Sequence, residues 1–268
     1  MPASSRLAVL IDADNTSATS LSALLEELAK YGVPTVKRAY GDWTTQQLTP
    51  WKEELHRHAI QPVQQFSYTS GKNSTDSALI IDAMDLLYSG NLDGFAIVSS
   101  DSDFTRLATR IRESGKRVIG LGRRRTPQSL VAACDRFIYL EVLVNENRPA
   151  PAATDDEAEA ATPLPDLQRI LVAAINSTSQ DDGWAALSAV GSHISANNPS
   201  FDSRNYGYPK LVELARAQDY VDVDQLPGQP VRVRLKPTGT TRKSSRRAPA
   251  RKTAKTAAKK AATKATAT

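Results

Sequence analysis

FAIVSSDSDF, residues 95–104, is the stretch on which the reading of the fold turns. Its apolar start does not alternate with polar residues, as in a strand covered on both faces. It ends in two aspartates, Asp101 and Asp103, one residue apart. LAVLIDADN, residues 7–15, repeats that form: an apolar run closing on Asp12 and Asp14.

Working outward from these two runs, strand-like and helix-like segments alternate. Apolar residues at 21, 24, 25 and 28 have helical spacing over Ser20 to Tyr31, and Gly32 is the stop. Strands are predicted at Thr35 to Tyr40 and Val63 to Phe66, with a helix from Thr49 or Pro50 to Ala59 between them. Ser74 or Thr75 caps a helix running to Tyr88, which Gly90 ends. Beyond FAIVS, a helix over Phe104 to Arg112 and strands at Val118 to Leu121 and Phe137 to Leu140 complete the block. Strands and helices in this order imply βαβ units, hence an α/β domain with an open parallel sheet and helices on both faces.

Composition divides the chain into four parts. The α/β block covers residues 1–147, and an Ala-, Pro- and acid-rich linker covers 148–162. A second ordered block covers 163–237. Helical spacing from Leu167 to Ala174, helices over Trp184 to Ile194 and Tyr206 to Ala217, and a hairpin pairing Tyr220–Val223 with Val231–Leu235 suit a small winged helix-turn-helix. Residues 238–268 form a Lys-, Arg- and Ala-rich tail too poor in large apolar residues to fold alone. Ten of the 34 basic residues lie in that tail, which has no acidic residue, so the net charge of +5 belongs to the tail and the folded part is mildly acidic.

The single cysteine, Cys134, excludes an internal disulfide and any cysteine-based zinc cluster, and its apolar neighbours read as a buried site. No apolar run approaches the roughly 20 residues that span a bilayer. A cytoplasmic protein is expected, with nucleoid association through the tail as an added possibility. His56, His58 and His193 lack metal-ligand spacing and read as structural or surface residues.

The aspartates carry the chemistry. In an open parallel sheet, ligands bind beyond the carboxyl ends of the strands, where the strand order reverses. If the two quoted runs are neighbours there, Asp12, Asp14, Asp101 and Asp103 converge, and Asp76, opening the helix between them, leans over the same edge. Carboxylates that close repel one another. A hard divalent cation relieves this, and an all-oxygen set suits Mg²⁺ or Mn²⁺ rather than zinc. Asp at a strand end is also ordinary turn chemistry, but two such pairs, each closing an apolar strand, point to a site. IDADNT also fits the D-x-D-x-T signature of haloacid dehalogenase-type phosphatases, in which the first Asp is a nucleophile. That alternative needs a hairpin flap directly after the motif, where a helix is predicted.

With these residues in view, LAVLIDADN, KNSTDSALIIDAMDLL and GFAIVSSDSDFTRLATRIRESGKRVIGLG together resemble the NYN domain, a PIN-like nuclease fold, in its LabA-like group. The resemblance covers about residues 5 to 143. It implies metal-dependent RNA cleavage, with Asp12, Asp76, Asp101 and Asp103 as both catalytic and metal-holding residues and Asn15 beside the first. Where many members read G-D-S-D-F, this chain has Ser100 before Asp101. Asp82 also matches the helix pattern but lies on another face from Asp76 and reads as structural. The second block, about residues 163 to 236, resembles the OST-HTH or LOTUS domain, which implies RNA binding. Asn15, Ser100, Lys72 and the run Arg123-Arg124-Arg125 are expected to contact substrate, the cations through flanking phosphates. Tyr206 and Tyr208, near Lys210, are read either as stacking residues or as packing at a helix start. RNA is the expected partner, with DNA a further possibility through the tail. A non-catalytic RNA-binding adaptor with a vestigial nuclease fold is the remaining alternative.

Overall fold

The computed structural model describes residues 5–66, 74–144, 163–225 and 228–236. Lys72, the linker over 148–162 up to Thr162, and the tail lie outside them.

Six strands form one all-parallel sheet in the order β3-β2-β1-β4-β5-β6. They are β1 (Arg6–Asp12), β2 (Val33–Gly41), β3 (Gln61–Gln64), β4 (Gly94–Val98), β5 (Arg117–Gly122) and β6 (Arg136–Tyr139). The chain fills the sheet outward from β1 in one direction and from β4 in the other, so the order reverses between these two neighbours. Their residues alternate between two cores. Ala8, Leu10, Phe95 and Ile97 pack with the helices α3 (Ser74–Tyr88), α4 (Thr105–Glu113) and α5 (Gln128–Ala133). Leu7, Val9, Ile11, Ala96 and Val98 pack with α1 (Leu21–Ala29), α2 (Trp51–Arg57) and α6 (Leu140–Val144). Both faces are therefore dry, which is why these strands show no polar alternation.

The sequence reading differs from the structure at several boundaries. The third strand sits two residues earlier than predicted, with Pro62 tolerated on an edge strand. The six-residue α5 is too short for its periodicity to register. Leu140 opens α6 rather than ending β6.

The second block contains α7 (Leu167–Thr178), α8 (Leu187–Asn197), α9 (Leu211–Arg216) and a three-stranded sheet in the order β7-β9-β8 around its own core. The strands are β7 (Ala185–Ala186), β8 (Val221–Asp224) and β9 (Arg232–Leu235). The helix predicted from Trp184 starts only at Leu187, because Ala185 and Ala186 pair with Val233 and Arg232 as a strand. The helix predicted from Tyr206 is a 3₁₀ turn over Ser203–Tyr206 followed by α9. Gly207, at φ +84°, takes the left-handed conformation that stops the first, and Pro209 follows. Tyr206 is a packing residue: its hydroxyl donates to the Pro165 carbonyl at 2.8 Å and its ring lies 5.8 Å from Phe201. Tyr208 packs on the same core.

The second block also covers the β6 edge of the large sheet. The Phe137 amide donates to the Pro199 carbonyl at 2.9 Å. Arg136 reaches the Phe201 carbonyl and Asp202, and Arg204 bridges Asp202 to Glu27 of α1. Burial works against the charges of Glu27 and Asp202, but hydrogen bonds from Arg204 outweigh it and hold both carboxyls below their ordinary values.

Candidate metal centre at the carboxyl edge

The register brings Ile11 beside Val98, so the carboxyl ends of β1 and β4 open side by side at the reversal of strand order. Asp12, the last residue of β1, is fully buried. Its carboxylate accepts from Ser99 Oγ at 2.8 Å, from Asn15 Nδ2 at 3.0 Å and from the Asn15 amide at 3.3 Å. Burial raises its pKa against the pull of those donors. Ser99 also accepts from the Asp101 amide at 3.1 Å, so one hydroxyl ties the end of β1 to the loop after β4. Asp101 caps the 3₁₀ turn Ser102–Phe104 by accepting from the Asp103 amide at 2.9 Å.

Asp76, in the first turn of α3, faces that loop. Carboxylate oxygens of Asp76, Asp101 and Asp103 all lie within 4.8 Å of one another. Burial first, then the charges of Asp12, Asp101, Asp103 and Asp14, push Asp76 up to about 6. Asp12 is not one of the three. Its charge is nevertheless felt at Asp76, ahead of those of Asp101 and Asp103. An all-carboxylate, oxygen-only set that repels itself has the chemistry of a hard divalent cation site.

Sequence reasoning missed the supports of this edge. Asp14 accepts from Thr75 Oγ1 at 2.9 Å and from the Asp42 amide at 3.3 Å, which ties β1, β2 and α3 together. A Cβ at Gly41 would lie 3.0 Å from Asp14 Oδ1 and 2.6 Å from Leu48, so only glycine lets β2 pass this close. The Ser99 and Thr75 hydroxyls each sit one or two residues before an expected aspartate, and that adjacency was the available signal.

The expected substrate-contacting residues take different places. Ser100 Oγ accepts from the Arg123 amide at 2.8 Å and so holds the loop after β5. Arg123 and Arg125 line a cleft with Asp14, Asn15, Thr16 and Thr19, beside the carboxylates. Arg124 does not line it: its charge is felt at Tyr139 and Tyr206, and its backbone amide donates to Glu141 at 2.9 Å. Asp82 accepts from Arg38 and Tyr40, away from the site, as its helix position predicted. His58 pairs with Glu54 at 3.3 Å, and Cys134 is buried with its thiol pushed up to about 12 by desolvation. After Asp12 come a 3₁₀ turn and α1, not the hairpin flap that the phosphatase signature requires. A separate cleft, lined by Lys116, Arg117 and Arg136, opens at the amino ends of β5 and β6 and contains none of the site's aspartates. None of the helices among the described residues is long and apolar enough to cross a membrane.

The family model for the NYN domain matches residues 6–141, and that for the OST-HTH/LOTUS domain matches residues 162–232. No curated protein matches the chain. Among solved structures, a protein of unknown function from Vibrio parahaemolyticus is 19% identical over 51% of this chain and 93% of its own, with a TM-score of 0.43. An uncharacterized protein from Nitrosomonas europaea is 32% identical over 34% of this chain and 88% of its own, TM-score 0.25. A Chromobacterium violaceum protein segment is 33% identical over 31% of this chain and 92% of its own, TM-score 0.24.

Proposed function

The chain belongs to the NYN family and carries a C-terminal OST-HTH/LOTUS domain, and on that premise we propose that it is a divalent-metal-dependent ribonuclease, cutting RNA internally, whose second domain holds the RNA. NYN domains are nucleases and OST-HTH domains bind RNA. The observation that carries the reading is the trio Asp76, Asp101 and Asp103, whose oxygens converge within 4.8 Å at the carboxyl edge of a parallel sheet.

Each residue has its own task in this reading. Asp76, Asp101 and Asp103 hold the cation, Mg²⁺ or Mn²⁺. Bound there, it supplies positive charge for the phosphodiester and acidifies water for attack. Asp12, fixed by Asn15 and Ser99, adds its negative charge to that of the trio and orients the loop that carries Asp101. Arg123 and Arg125 hold phosphates flanking the scissile one, in the cleft that they line together with Asn15 and Thr19. No Ser–His or Cys–His pair is needed, and the buried Cys134 takes no part.

The test is incubation of the full chain with single-stranded RNA and, separately, single-stranded DNA, in Mg²⁺, Mn²⁺ or EDTA. The reading expects RNA cleavage with either metal and none in EDTA. Equal cleavage in EDTA overturns the metal dependence, and cleavage of DNA alone overturns the substrate.

A further inference from the structure

The small sheet of the OST-HTH domain has two unlike faces. Val221, Val233 and Ala185 point into the domain core. The alternate residues face outward: Asp222 opposite Arg234 and Asp224 opposite Arg232, with Ala186 beside Arg232 on the other side. Trp184, directly before β7, joins this outer face. Its ring centroid lies 4.6 Å from the Arg234 guanidinium carbon and 5.3 Å from that of Arg232.

Each arginine is used in two ways at once. Its edge is taken by a carboxylate, Arg232 by Asp224 at 2.7 Å and Arg234 by Asp222 at 3.0 Å. Its guanidinium carbon stands over the tryptophan ring, and the two side chains keep 36% and 43% of their surface open. The two aspartates cancel the two positive charges, so the face has little to offer a phosphate. It offers flat, preoriented π surfaces, and planar guanidinium and indole groups are what unpaired bases stack on.

We propose that the outer face of this sheet, with Trp184 flanked by Arg232 and Arg234, is a stacking platform for unpaired RNA bases. This rests on the reading of the OST-HTH domain as RNA-binding and names where and how it binds. It assigns base contact to this face and leaves sequence-independent phosphate attraction to the ten basic residues after Thr238.

The test uses the full chain in EDTA, so that cleavage plays no part, and in salt high enough to suppress the tail's electrostatic binding. Short oligoadenylate is titrated against a duplex RNA of equal length, with affinity and tryptophan fluorescence both read. The platform predicts binding of the single strand over the duplex, with quenching. Trp184→Ala weakens single-strand binding by about tenfold, as loss of one stacked base does. Trp184→Phe keeps most of the affinity but loses the quenching, although Trp43 and Trp51 remain. Arg234→Lys keeps the charge and a partner for Asp222 but not the plane, and weakens binding several-fold. If Trp184→Ala melts early, the Phe and Lys variants carry the test. Wild-type affinity in all three variants overturns the platform while leaving RNA binding intact, and points to a protein ligand for this face. Failure of the wild-type chain to bind either RNA at any salt overturns the RNA-binding reading itself, whatever the cleavage assay gives.

Discussion

Two regions of this molecule bury carboxylates, and they answer the cost in opposite ways. At the β6 junction, Glu27 and Asp202 are met by Arg204, Arg136 and Lys30, and both carboxyls titrate below their ordinary range. At the carboxyl edge, Asp76, Asp101 and Asp103 converge with Asp12 and Asp14 nearby, and Asp76 is driven up to about 6. The junction is complete within the chain, which is what a structural contact requires. At the edge, burial and the negative charge of its neighbours raise Asp76 instead, the kind of perturbation that functional sites carry.

The largest effect that bears on this contrast is on cleavage. Asp101→Asn removes a ligand charge but keeps an oxygen to cap the turn at Asp103. Metal-dependent RNA cleavage should fall on the order of a thousandfold, or ~4 kcal/mol in the barrier, while the melting temperature holds or rises. A timed cleavage assay beside a thermal melt reads both. A variant that melts well below wild type would place Asp101 with the junction residues instead. The next effect is at the junction. Arg204→Ala leaves Glu27 with only Lys30 and Asp202 with only Arg136 as ion-pair partners, and should cost ~3 kcal/mol of stability, measured by denaturant unfolding. A loss under 1 kcal/mol, within the ~0–1 range of exposed pairs, would show that the ion pairs there are not structural.

A smaller effect would turn the first region into the second. Asp103→Lys places a fixed cation beside Asp76 and Asp101, so stability should rise by up to about 1 kcal/mol and the response of the melt to Mn²⁺ should vanish. The smallest effect is in pH. Because Glu27 has a folded pKa below its ordinary 4.5, its contribution is present above that value and fades as pH falls through the folded one. Glu27→Gln should therefore be less stable than wild type at neutral pH and lose less stability between neutrality and acid, by ~1 kcal/mol or so. Parallel curves for the two proteins would mean that Arg204 does not hold Glu27 charged.

What the sequence made legible follows from the range of the interactions involved. The buried strands were readable because two-sided burial writes itself as unbroken apolar runs, and α1 and α3 because Gly32 and Gly90 stop them. The aspartates were readable because each pair closes such a run. The hydroxyls of Ser99 and Thr75, which hold Asp12 and Asp14, follow no periodicity and emerge only when β1, β4 and α3 meet. The junction was invisible for the same reason: Glu27 and Arg204 are 177 residues apart. Strand β7 is two residues long and exists only through its pairing with β9, so the local sequence could be taken for a helix. The break after Tyr206 was written in Gly207 and Pro209 and was simply overridden by helical spacing on either side.

The central claim is that the trio holds a divalent cation, and metal binding tests it without reference to RNA. Mn²⁺ is titrated into the full chain and into Asp101→Asn, with free Mn²⁺ followed by electron paramagnetic resonance. The account predicts saturable binding by the wild-type protein that competes with Mg²⁺ and is lost or weakened at least tenfold in the variant, as loss of a direct charge ligand requires. Equal binding by the two proteins, or none by either, would contradict it.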